Sequence, residues 1–494
     1  GDLLLRQQGD MSLAGQMQAN GKLDIEAGGT LNNAGQLQAG QSLLLRSAAL
    51  NNSSGAELSA NQVDLRVTGQ LLNRGLVDGQ LVRVQADEVH NLGTGQLYGD
   101  RLAIASRLLS NRDEGGRAAT LAARERLDIG TQTLENREQA LIFSAGELAI
   151  GGALDANDRA SGRADLLSNA SATIESLGNL DLAVRELRNT NEHFSTAQVE
   201  VSREQLQEYQ ISGSPNRYRP DQVSVHNDEV DHLTTPDGRR DNFNRYDYER
   251  TVTETRVLTS APGQILAGGN LSFSGDSVLN DKSRIIAGGL LQVGATQVTN
   301  VEADGQRVIS DAGTATNFYR IQRKGRDRQG TNVTDYTPAP LIQDIDISPT
   351  EFRAQTAVNG SNTQLAAHQS VQIDPGVEVQ LNNGQGVADL VRTGGLNLTL
   401  PSNNLFQTNP EGTRGYLIET DPRFASYRQW LSSDYMLQRL NVDPALTQQR
   451  LGDGFYEQKL IREQIALLTG RRFLDGYADD EAQYRALIDN AVTL

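Results

Sequence analysis

The segment Ala14-Gly15-Gln16-Met17-Gln18-Ala19 returns twenty residues later as Ala34-Gly35-Gln36-Leu37-Gln38-Ala39. An alternating apolar stretch follows each copy, Leu23-Asp24-Ile25 and Leu43-Leu44-Leu45. A Leu/Val-x-Asn element then recurs with its asparagine at Asn33, Asn52, Asn73, Asn91, Asn111 and Asn136, at intervals of 19, 21, 18, 20 and 25. This unit is too short for a helical repeat, and its periodicity is that of strands bounded by Gly and Asn turns. It suits one coil of a right-handed parallel β-helix, with three strands of about four or five residues per coil stacked about 4.8 Å from the next. Inward Leu, Ile, Val and Ala would then form apolar columns. The recurrent asparagine is expected at one corner, where it tolerates a left-handed backbone and its amide can bond to neighbouring coils. A glycosylation reading fits only a few of these sites, such as Asn51-Asn52-Ser53.

The fold class expected is therefore mainly β, a parallel β-helix with hairpin or loop excursions and a small C-terminal α-helical segment. Only Tyr98 and Phe143 are aromatic before residue 191, whereas aromatics are frequent after it. This marks 1–190 as regular coils and 191–263 as an extra-helical hairpin, flanked by the strands Gln198–Ser202 and Tyr246–Thr253. Ala267-Gly268-Gly269 and Ala287-Gly288-Gly289, again twenty apart, mark resumed coils over 264–300, closed by Asn280 and Asn300. Residues 301–400 read as an irregular excursion followed by closing coils at Ser370–Ile373 and Leu396–Leu400. From 401 to 494 the pattern turns helical. Asp421-Pro422 and Asp443-Pro444 place an acid cap before a proline, and Thr469-Gly470 supplies a stop. The expected core stripes are Phe424, Tyr427, Leu431 and Tyr435, then Tyr456, Leu460, Gln464 and Leu467.

A formal net charge of -17 disfavours nucleic acid and anionic lipid as non-specific partners. The absence of cysteine removes disulfides, thiolate nucleophiles and Cys-ligated zinc. No apolar run approaches the roughly 20 residues of a membrane helix. Residues 1–20 carry no export-signal pattern, and both termini fall inside patterned sequence, so the chain is expected to continue beyond each.

Catalytic chemistry is hard to place. The five histidines, His90, His193, His226, His232 and His368, lack metal-ligand spacing, and no nucleotide, hydrolase or metalloprotease motif occurs. His226 and His232, near Asp228, Glu229 and Asp231, offer a metal site on paper, but a solvated acidic loop explains them as well. Asp64, Asp128 and Asp181 hold comparable strand positions several coils apart and read as single solvent-facing acids, not the paired carboxylates of a polysaccharide-cleaving site. No enzyme activity, cofactor or metal is expected. Exposed aromatics and arginines in the two excursions are the candidate contacts for a partner: Tyr246, Tyr248, Phe318, Tyr319, Arg323 and Arg326. A solvated loop is the plainer reading of the Arg323–Arg328 run.

The rod motifs resemble the haemagglutinin repeats of two-partner-secreted exoproteins, the filamentous haemagglutinins and the CdiA-type contact-dependent growth inhibition proteins. Tyr416–Phe424, Ser432–Leu437 and Leu451–Gln458 look like the stretch just past that family's first repeat array, so the resemblance covers essentially the whole chain. It implies a secreted or cell-surface protein, exported through an outer-membrane two-partner secretion transporter. It also implies a filament on the producing cell whose distal part, here about 191–470, recognises an outer-membrane protein or lipopolysaccharide of a target Gram-negative cell. Toxin and translocation segments would lie elsewhere. The alternatives are a host-cell adhesin and a β-helical polysaccharide-degrading enzyme.

Overall fold

The computed structural model describes residues 1–227, 230–347, 363–365, 400–408, 415–442, 450–474, 476–477 and 479–493. They form two compact units: Gly1–His193 with Ala261–Glu302 and Pro349–Leu494, and Phe194–Ser260 with Ala303–Ser348.

The first unit is a parallel β-helix. Leu23 pairs with Leu43, Leu43 with Val63, Val63 with Val82 and Val82 with Leu102, and the column continues through Leu127, Leu148, Leu180 and Leu271 to Leu291. Two further columns start at Met11 and Met17 and climb through Leu31 and Leu37 in the same way. Leu23, Leu43, Leu102, Leu127 and Leu180 are buried. Each such side chain stabilises the coil by about 1.5–3 kcal/mol relative to exposure, so the columns are the main source of stability in a chain without disulfides. The strands run longer than expected, as in Gln96–Glu114 and Thr120–Arg137, because the chain turns corners without leaving its pairing. Across the first excursion the register is kept: Ile174 pairs with Ile265, Leu180 with Leu271 and Asn189 with Asn280.

The asparagines form one hydrogen-bonded file. Each Nδ2 donates to the Oδ1 of the next, from Asn33 through Asn52, Asn73, Asn91, Asn111, Asn136, Asn169, Asn189 and Asn280 to Asn300, at 2.7–2.9 Å. Asn33 to Asn189 are fully buried along this file. None has a positive φ, so the left-handed corner expected for them is corrected: they end extended strands and are held by their amides. The long interval from Asn136 to Asn169 contains the hairpin Ala153–Leu154 with Ala160–Ser161. That hairpin covers Asp128, which is 4% exposed and accepts from Ala160 N and Arg126 Nε. Asp128 is therefore not the solvent-facing acid the sequence suggested, whereas Asp181 is exposed.

The C-terminal segment is not purely helical. Tyr416–Thr420 pairs with Phe406–Thr408 and Arg450–Gly452 in a small sheet. Around it lie the helices Pro422–Ala425, Ser433–Arg439, Gly454–Thr469 and Asp480–Thr493. Asp421 caps the first helix through Arg423 N, and Gly470 closes the third at φ +65°. The stripe Phe424, Tyr427, Leu431, Tyr435 is broken, since no single helix spans it. In the Gly454–Thr469 helix the buried residues are Phe455, Gln458, Arg462 and Ile465, together with Tyr456 at its start. Gln458 donates to the Leu431 carbonyl at 3.0 Å, and Arg462 joins a charge cluster with Glu175 of the β-helix, whose carboxylate lies 2.6 Å from Arg472 and 3.5 Å from Arg462. The expected closing coils at Ser370–Ile373 and, but for Leu400, at Leu396–Leu400, and the cap at Asp443-Pro444, lie outside the described residues.

Candidate functional site

The second unit is a five-stranded antiparallel sheet. Ser195–Ile211 pairs with Phe243–Thr259, which pairs with Asp304–Ile321, which pairs with Arg328–Tyr336 and Leu341–Asp346. The two excursions read separately from the sequence are thus one sheet, and residues 304–346 are largely ordered strand, not an irregular stretch. Alternation in Tyr246-Asp247-Tyr248-Glu249-Arg250-Thr251-Val252 sends successive side chains to opposite faces.

On one face Phe243 stacks on Phe318 with centroids 4.4 Å apart, beside Tyr209, Ile211 and Leu233. On the other, Tyr246 and Tyr248 meet Tyr336 at 5.0 and 5.3 Å. The Arg217 guanidinium lies 3.8 Å over Tyr246 and donates to the Tyr336 hydroxyl at 2.6 Å. Arg250 donates twice to Asp311, at 2.8 Å each. Burial, reinforced by the Glu208 carboxylate, pushes the Tyr248 hydroxyl up to about 12. Gly313 lies against Tyr248, where an added Cβ would sit 2.5 Å from the tyrosine Cα.

The candidate contacts therefore divide. Tyr246 and Tyr248 were expected on the surface; they are 9% and 2% exposed and belong to the packing of the sheet. Phe318 and Tyr319 are half-buried. Arg323 and Arg326 are exposed, with Lys324, in the turn between Asp304–Ile321 and Arg328–Tyr336. Asp327 shapes that turn by accepting from Arg323 N at 3.1 Å and Arg320 Nε at 2.8 Å. Arg320 also donates to Asp241 at 2.8 Å, which brings in the exposed Arg239 and Arg240. The sequence reading overlooked these two arginines, whose signal was the turn Pro236-Asp237-Gly238 just before them. The result is a cationic tip on an acidic chain.

One pair of acids on the β-helix lies beside a groove. Asp78 and Asp100 both bond to Arg124, at 3.0 and 3.2 Å, at the end of a polar groove of about 740 Å³ lined also by Gln18, Gln38 and Ser59. Arg124 also donates to the Phe424 carbonyl at 3.0 Å, so the cluster anchors the C-terminal segment. Among the described residues no group of three or more His, Cys, Asp or Glu could hold a metal ion, and no helix is long and apolar enough to cross a membrane.

The haemagglutinin repeat family model matches residues 1–75 and 222–317. The chain is 25% identical to the tRNA nuclease CdiA-2 of Burkholderia pseudomallei over 454 residues, which covers 73% of this chain and 14% of that protein. It is 28% identical to the toxin CdiA of Yersinia pestis over 289 residues, 49% of this chain and 9% of that protein. The chain thus spans only a small part of the length of these curated relatives. No solved structure matches it significantly. The repeat fold, the match to the haemagglutinin repeat model and these likenesses support a protein of the CdiA and filamentous-haemagglutinin type, which are secreted or cell-surface exoproteins.

Proposed function

We propose that this chain is a stalk and receptor-recognition region of a CdiA-like exoprotein, which engages an outer-membrane protein or lipopolysaccharide on a target Gram-negative cell so that a toxin can be delivered. It works by presenting a surface and not by turning over a substrate, and export through a two-partner secretion transporter fits the same reading. The observation that carries it is the cationic tip of Arg239, Arg240, Arg323, Lys324 and Arg326 on a sheet that interrupts the repeats. Exposed arginines on a chain of net charge -17 favour an anionic partner, such as phosphorylated lipid A sugars or acidic receptor loops. The stalk needs no partner to extend, since its coils are stabilised by their neighbours.

The test is binding of the labelled chain to intact Gram-negative cells, compared with an Arg323→Glu/Arg326→Glu variant. Saturable binding that weakens with salt and is lost in the variant supports the reading. Equal binding by both forms places recognition elsewhere. Binding to host cells alone would favour an adhesin instead.

A further inference from the structure

His226 and His232 are brought together by the hairpin of Ser224–Asn227 and Asp231–Thr235, where they are directly opposed across the two strands. Their imidazoles stack with centroids 4.6 Å apart and planes 15° from parallel. His232 is 6% exposed, while His226 is exposed. The Nδ1 of His232 lies 3.1 Å from the Val230 carbonyl, which can only accept, so Nδ1 carries a hydrogen and Nε2 is the nitrogen that the neutral ring would offer to an ion. Such a bond from the far ring nitrogen to a carbonyl is what orients and activates an imidazole ligand.

We propose that His226 and His232 together bind a first-row transition-metal dication, Cu²⁺ ahead of Zn²⁺, through one nitrogen each, with water completing the coordination. Cross-strand opposition holds the two Cβ atoms about 4.5–5.5 Å apart, which sets both rings within reach of one ion. Bonds of about 2.0–2.1 Å require the two nitrogens to converge, so binding an ion requires the exposed His226 to turn out of the stack toward His232. Imidazole nitrogen selects copper, nickel and zinc, with copper the tightest, whereas calcium and magnesium need oxygen donors. The chain has no cysteine to compete for such an ion. Bound metal would tie the hairpin across its strands, close to Leu233, which packs against Phe243 in the core of the sheet.

The experiment is titration of the full chain with Cu²⁺, with Ca²⁺ as the control cation, followed by electron paramagnetic resonance of the copper complex. The expected result is one Cu²⁺ per chain with two imidazole nitrogens in its coordination shell. His226→Ala, with its melting temperature measured alongside to confirm that it is folded, should weaken binding at least about tenfold because one of two protein ligands is lost. His90→Ala and His193→Ala should bind as the parent does. Unchanged affinity in His226→Ala, a spectrum showing only oxygen donors, or equal competition by Ca²⁺ would overturn the proposal.

Discussion

Phe143, on the β-helix, meets Phe455 of the Gly454–Thr469 helix edge to face, with ring centroids 5.5 Å apart. Phe424 bridges the same cluster, 5.9 Å from Phe143 and 5.5 Å from Tyr98. The two aromatics of residues 1–190 are therefore both committed to seating the C-terminal segment. Phe455→Ala should cost about 3–5 kcal/mol of that seating. Limited proteolysis should then cut the C-terminal helices first while the repeat coils stay resistant, and uniform resistance would argue against this cluster as the clamp.

The charge cluster beneath the same helix predicts a response to acid. Burial acts to raise the Glu175 carboxyl, but Arg472 and Arg462 outweigh it and hold it down to about 2. A folded value below the ordinary 4.5 contributes stability that is fully present above pH 4.5 and is lost as pH falls toward 2, on the order of 3 kcal/mol. Glu175→Gln should flatten that pH dependence. It should also destabilise the chain at pH 7 by about 3–5 kcal/mol, because two buried guanidinium groups lose a counter-charge. Urea unfolding at pH 7 and pH 3 separates the two effects, and equal pH slopes for parent and variant would refute the assignment.

The coils were legible because their information is local. A Leu and an Asn two residues apart, repeated every twenty or so, fix the column and the rung together. Asn169 and Asn189 carry the same signal, Leu167-Ser168-Asn169 and Leu187-Arg188-Asn189, but an inserted hairpin and the nearby excursion hid their spacing. The tyrosines show the limit of that local logic. Alternation in Tyr246-Asp247-Tyr248 reveals a strand, yet their covering partner, Tyr336, arrives from another part of the chain. Likewise the burial of Arg462 could not be read from its helix alone, because the carboxylate that compensates it, Glu175, lies far away in sequence on the β-helix.

The asparagine file makes its own prediction. Asn111 accepts from Asn91 at 2.9 Å and donates to Asn136 at 2.9 Å and to the Leu141 carbonyl at 3.1 Å. Asn111→Ala leaves buried donors and acceptors without partners above and below it, a cost of about 2–4 kcal/mol. A shift of the urea midpoint of that order is expected, and a midpoint within error of the parent would show that the file is not a stabilising element.

The last prediction separates fold from recognition in the antiparallel sheet. Tyr248 is 2% exposed and packs against Tyr336, so Tyr248→Ala opens a cavity and should destabilise this unit by about 3–5 kcal/mol. Arg323 and Arg326 are exposed, so their double replacement by alanine should leave the melting temperature where it was. If recognition resides at the cationic tip, the arginine variant loses cell binding with its fold intact, whereas the tyrosine variant loses binding only in step with unfolding. Calorimetry paired with cell-binding titrations distinguishes them. Loss of binding by Tyr248→Ala at a temperature where it is fully folded would move the contact from the tip to the tyrosine face.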